Sequence, residues 1–104
     1  DGTQTRSFCF VEDLVDGLFE LFKSGYSRPV NLGNPEEYTI SDFAQKILQL
    51  IKSDSNIIYK PLPVDDPKKR CPDITLAIEV LNWSPKIKLD SGLEKTISWY
   101  KKIL

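Results

Sequence analysis

Thr39-Ile40-Ser41-Asp42 places a hydroxyl three residues ahead of an acid, the pattern with which a chain caps the start of a helix. Phe43, Ala44, Ile47, Leu48 and Ile51 follow at three- and four-residue spacing, which lays them along one helical face. This is the strongest helix signal in the chain, and three further stripes share its logic. Between Asp13 and Lys23, Leu14, Val15, Leu18, Leu21 and Phe22 recur in the same way, and Gly25 supplies a stop. A shorter helix is expected from about Asp73, with Ile74, Ala77, Ile78 and Leu81 on its inner face. Asp73 is then either its N-cap or an acid turned toward a ligand. The last helix runs from about Asp90, and Leu89, Leu93, Ile97, Tyr100 and Leu104 form a stripe that ends among lysines, as the helix dipole favours.

Between these helices, the stretches 8–11, 30–32 and 56–60 read as short strands. About four helices and three short strands make a small α/β unit with some parallel pairing. Three short strands form a poor sheet alone, so the unit is expected to pack on the side of a larger neighbour. With 104 residues and seven prolines the chain fits one domain or one piece of a larger one, and the absence of methionine, even at position 1, reads as excision from something longer. Residues 61–72, with four prolines and charges of both signs, form the one long non-helical connection. Such loops in compact domains are often functional.

A formal net charge of −1 argues against a nucleic-acid partner held by bulk electrostatics, so any anion site must be local. No apolar run approaches the roughly 18 residues that a membrane span requires, and the start DGTQTRSF lacks the layout of a signal peptide. A soluble segment without membrane contact, in a cytoplasmic protein, is the expectation. Cys9 and Cys71 lie far apart, form no CxxC and have no histidine beside them, which leaves no zinc site; a partly buried thiol is expected at each.

Several chemistries lack their residues altogether. The chain has no histidine, no GxSxG, no HExxH, no phosphate-binding loop and no glycine-rich dinucleotide fingerprint, its five glycines being scattered. Tyr26, Tyr38, Tyr59 and Tyr100 are followed four residues later by Val30, Asp42, Pro63 and Leu104, so no tyrosine shares a helical face with a lysine at that spacing. What remains is anion recognition. Arg6 and Arg70 sit in segments that read as extended or irregular, and a planar fork of donors suits phosphate and carboxylate oxygens better than an ammonium does.

The runs DGTQTRSFCFVEDLVDGLFEL, PVNLGNPEEYTISDFAQKI, DDPKKRCPDITLA and LNWSPKIKLDSGLEKTI, in that order and across nearly the whole chain, resemble successive motifs in the C-terminal part of the UDP-glucuronate decarboxylases, the UDP-xylose synthases of the extended short-chain dehydrogenase/reductase family. The resemblance implies that residues 1–104 are a C-terminal nucleotide-sugar-binding lobe, with an N-terminal Rossmann domain absent. That domain would hold NAD and the catalytic tyrosine/lysine pair, so this segment alone should be inactive. In the whole enzyme, implied to be a homodimer, C4 of the glucuronate is oxidised by NAD, carbon dioxide leaves the β-keto acid, and the hydride returns to give UDP-xylose.

The resemblance also assigns residues. Arg6 matches the arginine of the family's GxQTR motif, facing the pyrophosphate or the sugar near the reacting carboxylate, with Gln4 and Thr5 lining the site beside it. Arg70 matches the R-x-P-D arginine that clamps the pyrophosphate, and Asp73 the acid of that loop that accepts from ribose hydroxyls. Lys68 and Lys69 would stay in solvent, and Cys71 has no role in the family pattern. Two alternatives share the residues: the equivalent lobe of a dTDP-glucose 4,6-dehydratase or UDP-glucose 4-epimerase, and a non-catalytic protein-interaction module.

Overall fold

The structure is a computed structural model that describes residues 2–61, 63 and 68–104. Its elements run β1 (Thr5–Ser7), α1 (Val11–Ser24), β2 (Glu37–Thr39), α2 (Ile40–Ile51), α3 (Thr75–Leu81) and α4 (Leu89–Ile103). The four expected helices are all present, and local chemistry sets their ends. Thr39 is the N-cap of α2, its Oγ1 accepting the Asp42 N–H at 3.0 Å. At the end of α1, Gly25 takes φ 72°, the left-handed turn that a residue without Cβ enters freely. Ahead of α3, the Asp73 carboxylate accepts both the Thr75 N–H at 3.0 Å and the Thr75 hydroxyl at 2.6 Å.

The strands differ from the sequence expectation. β1 and β2 pair antiparallel, with Arg6 opposite Tyr38, and among the described residues there is no third strand and no parallel pair. Residues 8–10, 30–32 and 56–60 join no ladder, and Val11 already belongs to α1. Their apolar residues serve packing instead: Phe8 stacks on Phe43 with ring centroids 3.9 Å apart, and Val30 and Leu32 lie against the core. The true strands, TRS and EYT, are too short and polar to show a period of two, and only long-range pairing makes them strands.

A thin core joins α1 to α3. Ile74, Ala77, Leu81 and Trp83 are buried, with Leu21, Val30 and Leu32 packed against them. Ile78, expected on the inner face of α3, is 49% exposed, since among the described residues the core gathers along the 74, 77 and 81 edge of α3. At α4 the expected stripe is covered only in part, Tyr100 and Leu104 standing in solvent. Gly17 lets α1 approach closely, since a Cβ there would meet Trp83 Cε2 at 3.0 Å and Leu32 Cδ1 at 3.1 Å.

Asp13 ties the core to the connection ahead of α4. Its carboxylate is buried and accepts the N–H groups of Lys86 and Ile87 at 3.1 and 2.9 Å, while its carbonyl accepts Trp83 Nε1 at 3.1 Å. The molecule is flat, measuring 48 × 36 × 19 Å, and its radius of gyration of 16.1 Å exceeds the roughly 13 Å usual for a compact chain of this length. Among the described residues, no helix is long and apolar enough to cross a membrane.

Candidate functional site

β1 lies between two neighbours. On one edge it pairs with β2, and Gln4 O accepts the Ile40 N–H at 2.9 Å; on the other, the Thr5 N–H donates to Lys68 O at 2.7 Å. Successive strand residues turn their main-chain groups to opposite edges, so the central strand can hold both. The Thr5–Lys68 bond brings the loop that carries Arg70 alongside the strand that carries Arg6. Asp65, Asp66 and Pro67, at the start of that charged loop, lie outside the described residues.

Arg6 and Arg70 line one open cavity of about 370 Å³, together with Ser7, Asn31, Gly33 and Asn34. Arg6 is half-buried, and its Nη1 donates to Thr5 O at 2.6 Å, which orients the guanidinium from its own strand. Arg70 is exposed at the rim. Among the described residues, no carboxylate lines the cavity. A chain of net charge −1 thus places two guanidinium groups on one cavity, a local concentration of positive charge that the net charge does not reveal.

Two contacts seat the loop against residues 33–35. Gly33 leaves room for Pro72, whose Cγ would lie 2.9 Å from a Cβ at that position. The Cys71 thiol donates to Pro35 O at 3.1 Å. Cys71 is exposed rather than partly buried as expected, because its loop crosses the surface. Cys9 is half-buried on the cavity's inner wall, and burial, followed by the Asp13 carboxylate, pushes its thiol pKa up.

The other three sequence candidates are not on this cavity. Gln4 lines a separate hollow with Ile40, Ile57 and Tyr59, and its Oε1 accepts the Gly2 N–H. The Thr5 hydroxyl donates to Glu37 Oε1 at 2.8 Å. Asp73 is exposed, and its bonds with Thr75, the side-chain one first, hold its carboxyl below the usual aspartate range. Ser7, Asn31 and Asn34 line the cavity without having been singled out in the sequence. Only the neighbourhood of Ser7 to Arg6 hinted at it; NLGN carries no periodicity that separates a cavity wall from a turn.

No protein-family model matches the chain. Over 99% of its length it is 50% identical to UDP-glucuronic acid decarboxylase 1 of Danio rerio. It is 46% identical over 97% of its length to UDP-glucuronic acid decarboxylase 1 of Arabidopsis thaliana. The matched region lies in the C-terminal part of these relatives and spans 25% and 23% of their lengths, about a quarter. Among solved structures, the UDP-glucose 4-epimerase of Thermotoga maritima with UDP-glucose superposes with a TM-score of 0.93 at 28% identity, over 99% of this chain and 33% of that one. The UDP-glucuronic acid 4-epimerase of Bacillus cereus, in complex with UDP-glucuronic acid and NAD, gives 0.89 at 27% identity, over 100% of this chain and 34% of its own.

Proposed function

We propose, from the chain's place in the extended short-chain dehydrogenase/reductase family beside the UDP-glucuronic acid decarboxylases, that it is the nucleotide-sugar-binding part of an NAD-dependent decarboxylase acting on UDP-glucuronate. The observation that carries this is the meeting of Arg6 and Arg70 on one cavity. A diphosphate presents adjacent anionic oxygens to both guanidinium groups, and each charge-assisted pair contributes about 1.5–3 kcal/mol net. Identity near 50% to decarboxylases, against 28% and 27% to the two epimerases, favours the decarboxylase over an epimerase lobe.

In this reading the chain orients the substrate while the reacting sugar lies toward the rest of the enzyme. NAD, when bound there, takes and returns the hydride at the sugar carbon. Nothing among the described residues fits that cofactor, for the chain has no glycine-rich strand-to-helix turn. Arg6, half-buried and steered by its own strand, holds one side of the diphosphate. Arg70 closes over it from the loop. Both Thr75 bonds end on Asp73 Oδ1, so its other carboxylate oxygen is the one that would accept from a ribose hydroxyl.

Titration calorimetry of the chain with UDP tests the proposal. Weak binding that falls as salt rises is expected, with a loss of roughly 10- to 150-fold in Arg70→Ala, the factor equivalent to one such pair. Failure of the parent chain to bind UDP, or equal binding by Arg70→Ala, would overturn it.

A further inference from the structure

Cys9 and Cys71 lie far apart in the sequence, yet both line the cavity that Arg6 and Arg70 share. Neither is held in the buried core. The Cys9 thiol has only a long contact of 3.7 Å to Phe10 O, and the Cys71 thiol donates to Pro35 O at 3.1 Å.

Two independent alignments bring these thiols together. The first is the order of contacts along β1. A Cβ on Gly2 would meet Tyr59 Cε1 at 2.8 Å, the Thr5 N–H donates to Lys68 O, and Ser7 and Cys9 share the cavity wall with Arg70, Cys71 and Pro72. The partners rise in number together, so the described residues on both sides advance in one direction. Cys9 is four residues beyond Thr5 and Cys71 three beyond Lys68, which leaves them nearly level. The second alignment comes from β2. Two residues beyond the last β1–β2 pair, Ser7–Glu37, come Cys9 and Pro35, and Pro35 O is the acceptor for the Cys71 thiol. Because β1 lies between Lys68 and β2, a thiol that reaches across to Pro35 passes the end of β1, where Cys9 stands. Neighbouring extended segments run about 4.8 Å apart, inside the Cα separation of roughly 4.4–6.8 Å that a disulfide spans.

We infer that Cys9 and Cys71 are a redox pair, which a low-molecular-weight disulfide such as oxidised glutathione converts to a Cys9–Cys71 bridge tying the Arg70 loop to the end of β1. Cys71 is exposed and reacts first. Having given its proton to solvent, its thiolate attacks one sulfur of the incoming disulfide; a mixed disulfide forms, and one glutathione leaves as thiolate and takes up a proton. The Cys9 thiolate then attacks the Cys71 sulfur, the bond to glutathione breaks, and the second glutathione leaves in the same way. Two cysteine thiols are oxidised and one disulfide is reduced to two thiols. Arg6 and Arg70 on the same cavity attract the carboxylates of the oxidant. The half-buried Cys9 thiol, its pKa pushed up chiefly by burial, makes the closing step the slower one. The bridge replaces the Cys71 bond to Pro35 O with a covalent tie, so the freedom of the arginine loop follows the thiol–disulfide poise around it.

Incubation of the chain with a fixed ratio of reduced to oxidised glutathione, an acid quench and peptide mapping without reduction test this. The peptides of Cys9 and Cys71 should appear joined, in a chain lighter by two hydrogens and free of glutathione. Cys9→Ser should stop at the glutathione adduct on Cys71. In denaturing urea at the same glutathione ratio, the ratio of linked to reduced chain should fall on the order of a hundredfold, because the unfolded chain must close the whole length between residues 9 and 71. A lasting glutathione adduct on Cys71 of the parent chain, with Cys9 free, overturns the inference. Linkage that forms as readily in urea, or that joins two chains instead of one, overturns it as well. No nucleotide enters the assay, so its outcome is distinguishable from success or failure of the UDP-binding reading.

Discussion

Replacing Asp13 by alanine should nearly unfold this chain, because one carboxylate holds two main-chain donors. Its oxygen takes the N–H groups of Lys86 and Ile87 at 3.1 and 2.9 Å, and the residue is 4% exposed. A hydrogen bond to a charged partner contributes about 1.5–3 kcal/mol net. Two such bonds sum to about 3–6 kcal/mol, and partial access of water to the two N–H groups brings the loss down to roughly 2–4 kcal/mol. Chains of this size have total stabilities of about 5–15 kcal/mol, and the thin core places this one low in that range. With about 4–8 °C of Tm per kcal/mol, the melting temperature should fall by roughly 10–25 °C. Asp13→Asn keeps an acceptor oxygen without the charge and should lose less. The Asp13 carbonyl keeps its bond to Trp83 Nε1 in both variants, so Trp83 fluorescence reports the same native environment throughout a urea titration. Glu12→Gln is the control, since its ion pair with Lys95 is 3.6 Å long and exposed on both sides and pairs of that kind contribute little. Equal urea midpoints for Asp13→Ala and Glu12→Gln would refute the reasoning.

Two further outcomes follow from the titrating groups. Because Asp73 ionises more readily folded than unfolded, its stabilisation is complete above the ordinary aspartate range and fades as pH falls through its lowered value; urea midpoints of Asp73→Asn should lie below the parent's at about pH 7 and meet it at about pH 2, and a gap that persists in acid would count against the Thr75 bonds as the cause. Cys71 is exposed, whereas the Cys9 thiol is half-buried with a raised pKa, so iodoacetamide near pH 8 should modify Cys71 first because thiolate is the reactive form; equal rates by peptide mapping would contradict the burial of Cys9.

What could be read in the sequence was what lies close along it. The Thr39 cap, the Gly25 stop and the four helices marked by apolar stripes each depend on residues within about two turns, and all reappear in the structure, although Val15, Leu18, Phe22, Ile78, Tyr100 and Leu104 of those stripes are exposed. The strands could not be read that way. Thr5–Ser7 is a strand because Glu37–Thr39 lies beside it, while 30–32, with a stronger local preference, joins no ladder within the described residues. Arg6 and Arg70 were expected, through the family resemblance, to face one ligand, and the structure puts both on one cavity. The cavity wall of Ser7, Asn31 and Asn34 was not, because it depends on where Gly33 admits Pro72.

The same contrast bears on how the arginine cavity is held. A core side chain is fixed by packing from many directions, but the nearest buried cluster, at Ile74 and Trp83, serves α1 and α3. The Arg70 loop is instead joined to its surroundings by the Thr5 N–H on Lys68 O, the Cys71 thiol on Pro35 O and the close approach of Pro72 to Gly33. Two of these three use main-chain atoms as acceptors, so they constrain where the loop runs more than which side chains it carries. A rim arginine held in this way keeps rotamer freedom until an anion arrives, and ordering it then opposes part of what the charge-assisted bonds contribute. Arg6 has less to lose, since its Nη1 already rests on Thr5 O. In the proposed clamp the strand arginine is therefore the pre-set half and the loop arginine the half that would close, an asymmetry that comes from the elements carrying them and not from their chemistry.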